Sequence, residues 1–211
     1  MKNAETQTLD GFVREAHNVS APSLEAPLMV EAVRGLKPRS VLDIGTGTGY
    51  IAIGCAKAGA SVVVATDINP DAVEVATANA KRCNVDVQVF QSDLLENVSG
   101  SFDVVVFNPP LVPSTIGTET RKMANVLRRS EWLLILLMRI LEFRYRDLRL
   151  GLVRRLFDDL RRADHRCHVV LFVSPSEIKA LQRLYPEVSV TRSGDTAHGW
   201  PITIWGIEPA R

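Results

Sequence analysis

The chain has little cysteine, and none of it stands in a spacing that does chemistry. Cys55, Cys83 and Cys167 are odd in number, far apart and without a Cys-x-x-Cys pair, which excludes a disulfide-built scaffold and a cysteine zinc or redox site. They read as reduced thiols of a cytoplasmic protein. Histidine is equally sparse: His17, His165, His168 and His198 lack metal-ligand spacing, so no metal is expected. No run reaches the roughly 18 apolar residues that span a bilayer. The nearest, Trp132 to Leu141, is short and broken by Arg139, so no membrane partner is expected either. The N-terminal MKNAETQTLDGFVREAH lacks the apolar stretch of a signal peptide. A charge excess is missing as well. With 25 basic and 24 acidic residues the formal net charge is +1, so any electrostatic preference for a partner is local.

What is present is the composition of a soluble globular domain: 211 residues, 46% apolar and 23% charged, enough to bury one real core. No repeat or low-complexity linker divides it. We expect a single domain with an N-terminal extension and helix over 1–35 and a helical substrate-side insertion over 115–165. The body alternates strand and helix. SVLDI (40–44) enters a glycine cluster that opens into a helix over 50–58; SVVVAT (61–66) ends at Asp67, and Asn69-Pro70 starts a second helix running to about Cys83. Strands follow over 85–90 and over 102–107, the latter stopped by Asn108-Pro109-Pro110. Roughly 121–163 reads as one or two long arginine-studded helices broken near Gly151. Sheet character returns in HVVLFV (168–173), and after a helix over 176–184 come strands over 187–191 and 201–207, close enough to form an antiparallel hairpin. Continuous valine-rich strands between helices predict an α/β, Rossmann-like architecture: a mostly parallel seven-stranded sheet with helices on both faces and a C-terminal antiparallel hairpin.

The candidate site residues fall at the carboxyl ends of these strands, where open α/β sheets bind ligands. In Asp43-Ile44-Gly45-Thr46-Gly47-Thr48-Gly49, glycines at alternate positions let the backbone turn sharply and approach a ligand. The spacing is Gly-x-Gly-x-Gly rather than the Gly-x-Gly-x-x-Gly of dinucleotide sites, which disfavours a nicotinamide dehydrogenase. Asp67, about twenty residues on, can accept both hydroxyls of a ribose or simply cap a helix. Asp93 can accept from an exocyclic amine or stand as a solvated loop acid. Asp43 can order the loop or meet an ammonium. Two consecutive prolines after Asn108 supply no backbone donors and fix the chain, leaving the Asn108 amide oxygen and the Pro109 carbonyl as acceptors for the two hydrogens of a planar NH2 group. Ahead of an apolar helical pattern, Pro22-Ser23-Leu24-Glu25 reads as a helix start with Ser23 as its cap.

VLDIGTGTGY, Asp67-Ile68-Asn69 and Ser92-Asp93-Leu94 together resemble the class I S-adenosylmethionine-dependent methyltransferases over roughly 40–112. The resemblance implies S-adenosyl-L-methionine as cofactor and S-adenosyl-L-homocysteine as product. Asp43, Gly45, Gly47 and Gly49 would line the methionine side, Asp67 and Ile68 the ribose, and Asp93 and Leu94 the adenine. Phe107-Asn108-Pro109-Pro110 resembles the Asn-Pro-Pro-aromatic motif of the amino- and amide-directed branch, which includes release-factor glutamine methyltransferases and several base methyltransferases. By that likeness Asn108, Pro109 and Pro110 form the catalytic motif, with Asn108 also facing the cofactor. Pro22-Ser23-Leu24-Glu25 also resembles the substrate-side segment of that branch, beside its reading as a helix start, and no chemistry is assigned to it. Leu111 departs from the pattern. Losing an aromatic there removes roughly 1–3 kcal/mol of base stacking, which favours a protein glutamine of a translation factor over a nucleic-acid base. Some relatives in that branch need a small activator subunit, which makes an activator one candidate partner.

The arginines of 121–166 leave two readings open: a phosphate-tracking face for RNA or the ribosome, or a solvated helix face paired with Glu131, Glu142, Asp147, Asp158 and Asp159. Trp132 to Leu141, apolar almost all round, is expected to be buried in the core or covered by a partner, with core burial the simpler case.

Overall fold

Short apolar runs punctuated by Gly, Asn and Pro set the order of elements. The computed structural model describes residues 12, 18–19, 21–110, 131–195 and 200–208. In chain order the elements are α1 (Ala26–Leu36), β1 (Ser40–Ile44), α2 (Tyr50–Lys57), β2 (Val62–Asp67), α3 (Pro70–Arg82), β3 (Gln88–Gln91), β4 (Val104–Phe107), α4 (Glu131–Arg162), β5 (Cys167–Phe172), α5 (Pro175–Leu184), β6 (Ser189–Asp195) and β7 (Pro201–Ile207). Local chemistry fixes several starts. Asn69 caps α3 by accepting from the Asp71 N–H, with Pro70 in the first turn, and α5 opens with a reciprocal capping box between Ser174 and Glu177.

The seven strands form one sheet in the order β3-β2-β1-β4-β5-β7-β6. The first five in that order run parallel, whereas β7 is antiparallel to both β5 and β6, which closes the sheet with the expected hairpin. Strands β1 to β3 step outward one way and β4 and β5 the other, so the order reverses between β1 and β4. Such a switch point leaves a crevice at the carboxyl ends of those two strands, and this is where the glycine loop and Asn108 emerge.

Side chains alternate between the two faces along each central strand. Leu42, Val105, Phe107, Val169 and Leu171 join Val153, Leu156, Phe157 and Leu160 of α4 and Ile178 and Leu181 of α5 in one core. Val41, Val104, Val106, Val170 and Phe172 face α1 and α2 in another. The period of two in the strands and the 153, 156, 157, 160 spacing in α4 are the patterns that buried strands and amphipathic helices require.

The expected break near Gly151 does not occur: α4 runs unbroken for 32 residues, about 48 Å at 1.5 Å per residue. A lone glycine costs a helix only about 1 kcal/mol, and the buried stripe at Val153, Leu156, Phe157 and Leu160 outweighs it. Core burial of the run before it fails where side chains are described, since Leu136 is 46% and Ile140 55% exposed. Residues 111–130 lie outside the described residues, and with them Leu111 and the helix expected to begin near 121. No helix among the described residues is long and apolar enough to cross a membrane.

Candidate active site

The glycine loop owes its shape to backbone angles that only glycine adopts cheaply. Gly45, Gly47 and Gly49 have φ of 67°, 55° and 84°, all left-handed. Gly49 also lacks room for a side chain, because a Cβ there would meet the Ala76 backbone and methyl of α3 at 3.2 and 3.1 Å. Asp43 holds the loop from beneath. It accepts from the Thr46 hydroxyl at 2.7 Å and from the Ala52 N–H at 3.1 Å, tying the end of β1 to the first turn of α2. Burial pushes its carboxyl up to about 7, with the nearby Asp67 charge adding to the rise and the Thr46 and Ala52 hydrogen bonds opposing it. Of the two roles left open for Asp43, the geometry displays loop ordering.

Asp67 closes β2 beside that loop. One carboxylate oxygen accepts from the Gly47 N–H at 2.9 Å and the other from the Asn69 N–H at 3.0 Å. Each oxygen retains a further lone-pair direction, so a vicinal diol can be accepted without displacing the loop. Ile68, 63% exposed, presents an apolar side chain next to it. At the end of β3, Ser92 is buried, and its hydroxyl donates to the Leu94 carbonyl and accepts from the Asn97 N–H, which shapes the turn that carries Asp93. Leu94 itself is buried, with a left-handed φ of 49°. Asp93 is already engaged: Arg155 of α4 reaches it at 2.9 Å with one guanidinium nitrogen and Glu96 at 2.9 Å with another. A nucleoside bearing a ribose diol and an amine fits this set of carboxylates and left-handed glycines at the switch point, with Arg155 as an unexpected member.

Asn108, Pro109 and Pro110 follow β4 directly. Pro109 is buried, Asn108 half-buried and Pro110 exposed. The Asn108 side-chain nitrogen donates to the Ser23 hydroxyl at 3.0 Å, while its oxygen has no partner among the described residues. Ser23 is therefore not the helix cap the sequence pattern suggests. Glu25 occupies the cap position of α1 and makes no side-chain capping bond.

The thiols of Cys55, Cys83 and Cys167 are buried and in no disulfide, and burial raises the pKa of Cys55 far above the ordinary thiol range and that of Cys167 to about 12. Among the described residues no cluster of three or more His, Cys, Asp or Glu could hold a metal. Most described arginines of the 121–166 stretch are paired: Arg146 with Asp147, Arg149 with Glu177, Arg155 with Asp93 and Glu96, Arg161 with Glu187, Arg162 with Asp159 and Arg166 with Glu208.

Sequence reasoning reached the glycine loop, both strand-end acids and the Asn-Pro-Pro turn. It left Ser23 between a helix start and a substrate-side segment without its contact to Asn108, and it missed the contact of Arg155 to Asp93. Their partners lie 85 and 62 residues away in the chain, and no local spacing signals such contacts.

Comparison with known proteins agrees with this arrangement. The family model described as Methyltransferase small domain matches residues 24–135. Over 108 residues the chain is 45% identical to a provisionally named protein N5-glutamine methyltransferase of Methanocaldococcus jannaschii, a segment covering 51% of this chain and 55% of that one. Over 88 residues it is 40% identical to the release factor glutamine methyltransferase of Deinococcus radiodurans, covering 41% of this chain and 32% of that one. The chain thus spans about half or less of the length of these relatives. Among solved structures, the ribosomal protein L11 methylase of Lactobacillus delbrueckii subsp. bulgaricus shares the fold at a TM-score of 0.56 and 21% identity, covering 89% of this chain and 80% of that one. With more than half its length matched by the family model, and the sheet order, glycine loop and strand-end acids in place, the chain belongs to the Methyltransferase small domain family.

Proposed function

We propose that the protein transfers a methyl group from S-adenosylmethionine to the side-chain amide nitrogen of a glutamine in a translation factor of the release-factor class. The observation that carries the reading is the Asn108-Pro109-Pro110 turn standing at the switch point beside the glycine loop, with the Asn108 amide oxygen uncommitted among the described residues. Similarity to relatives with glutamine methyltransferase names supports the choice of acceptor.

Asp67 would hold the ribose diol, Asp93 the adenine amine, and the loop from Gly45 to Gly49 the methionine end. When bound, the cofactor supplies a methyl carbon activated by a sulfonium. The chain's own part is orientation. Asn108 Oδ1 and the Pro109 carbonyl accept the two N–H groups of the acceptor amide, which fixes the plane of the nitrogen and aims its lone pair at the methyl position. Holding reactants in line can supply several kcal/mol of a barrier, and acceptors that bind the NH2 group gain strength as positive charge develops on nitrogen. The surplus proton leaves to solvent after transfer, so this chemistry asks for no strong base.

Two substitutions separate binding from transfer. Calorimetry with S-adenosylhomocysteine should give saturable binding that Asp67→Ala abolishes and Asn108→Ala retains, while methyl transfer falls by about a hundredfold or more in Asn108→Ala. Labelled methyl appearing in RNA or DNA rather than in a release factor would replace the acceptor with a base amino group. Intact transfer in Asn108→Ala would remove the motif from the mechanism.

A further inference from the structure

We infer that Ser23 is a positioning residue: its hydroxyl accepts from Asn108 Nδ2 at 3.0 Å and holds that side chain in place at the end of β4, in the orientation that turns Oδ1 toward the methyl acceptor. This rests on the glutamine-directed reading of the same site. An asparagine amide is nearly symmetric in shape, and a half-turn about its terminal bond exchanges an acceptor for a donor. A donor in the outward position would oppose the N–H groups of an incoming amide. A hydroxyl can bond either end of an amide, so Ser23 serves to hold the side chain, and the end it meets is Nδ2. Pro109 follows Asn108 directly and lacks a backbone N–H, and the Ser23 hydroxyl, at 3.0 Å, is the only hydrogen-bond partner of the Asn108 side chain among the described residues.

Ser23 is itself held in place. The described residues ahead of α1 are fastened at two places near the carboxyl edge of the sheet. Near their start the Asn69 side chain donates to the Asn18 carbonyl at 3.0 Å and the Asn18 side chain donates to Asp71 at 3.2 Å. These contacts lie at the cap of α3, two residues beyond Asp67. Near their end the Ser23 carbonyl accepts from the Ala26 N–H at 3.2 Å, leading into α1. That turn uses the Ser23 backbone, and the α1 cap position belongs to Glu25. The Ser23 hydroxyl has no structural duty in the helix, and its removal leaves the turn its bonds. The segment thus connects the ribose-side helix to the acceptor-side asparagine.

The inference predicts that Ser23→Ala lowers kcat by about tenfold, the worth of one such hydrogen bond. The KM for the acceptor, the Kd for S-adenosylhomocysteine and the melting temperature should stay at their wild-type values. Ser23→Thr, which keeps the hydroxyl, should restore the rate. A second readout does not depend on turnover. In 15N-labelled protein the Asn108 side-chain NH2 signals, identified by their loss in Asn108→Ala, should be slow to exchange with solvent, and Ser23→Ala should speed that exchange. Unchanged NH2 exchange together with a wild-type kcat in Ser23→Ala would overturn the inference, as would a loss confined to cofactor binding. If the wild-type protein methylates no protein amide, the proposed reaction falls, and the exchange measurement still decides whether Ser23 holds Asn108.

Discussion

Asp43 sits 1% exposed beneath the glycine loop with two hydrogen-bond donors and a second carboxylate nearby. Its carboxyl rises from the ordinary 3.8 to about 7. The unfolded chain loses this proton near pH 4 and the folded chain keeps it until about pH 7, so across that window the folded state binds more protons. Stability therefore falls as pH rises through the window and levels off above it. The loss is on the order of 4 kcal/mol. Asp43→Asn removes the titration while keeping an acceptor for Thr46 and Ala52. In urea unfolding from about pH 5 to about pH 8, the wild type should lose stability relative to Asp43→Asn, and parallel pH profiles would contradict the assignment. At this scale the sequence was readable wherever chemistry is local. The glycines need left-handed angles at their own positions, and the prolines fix their own backbone. The contacts of Ser23 and Arg155 were not readable, because each depends on a partner the fold brings from another element.

The helices show how far a single residue's propensity decides an element. Gly151 looks like a breaker in the sequence, yet α4 continues through it, and a Cβ added there would meet nothing within 4 Å. Gly151→Ala should therefore stabilise the protein by about 0.5–1 kcal/mol and raise Tm by at most about 4 °C. Gly54 is the contrasting case in α2. A Cβ there would lie 2.7 and 3.0 Å from the two methyls of Val30, a buried and χ1-restricted residue of α1. Gly54→Ala should cost about 1–3 kcal/mol through overpacking. Calorimetric scans of the two variants should move Tm in opposite directions, and a common direction would mean the packing between α1 and α2 is read wrongly. Short apolar runs located the strands, but the buried stripe of α4 at Val153, Leu156, Phe157 and Leu160 was not foreseen among its arginines, and burial was expected in the apolar run before it. That expectation failed because an apolar run reads the same whether it meets a core or stands out from it: Leu136 is 46% and Ile140 55% exposed.

Across the whole molecule, one sheet with a reversal of strand order gathers residues from the ends of β1, β2, β3 and β4 along a single edge. The sequence revealed that edge because each strand ends in a recognisable loop. It could not reveal what braces the edge from outside. The guanidinium of Arg149 on α4 is 2% exposed and donates to Glu177 in the first turn of α5 at 2.9 Å and to the Phe172 carbonyl at the end of β5 at 3.1 Å. Such a buried pair fastens two helices and a strand end, and removing one partner of a pair like it typically costs 3–5 kcal/mol. Among the described arginines, Arg149 and Arg155 brace the fold from α4, Arg155 by fastening the helix to the turn that carries Asp93. The most direct test of the account is peptide mass spectrometry of a purified release factor after incubation with this protein and S-adenosylmethionine. The account predicts a mass gain of one methylene on a glutamine side chain, absent with Asn108→Ala and reduced with Ser23→Ala. An unmodified release factor, with the methyl group recovered in nucleic acid or not transferred at all, would contradict it.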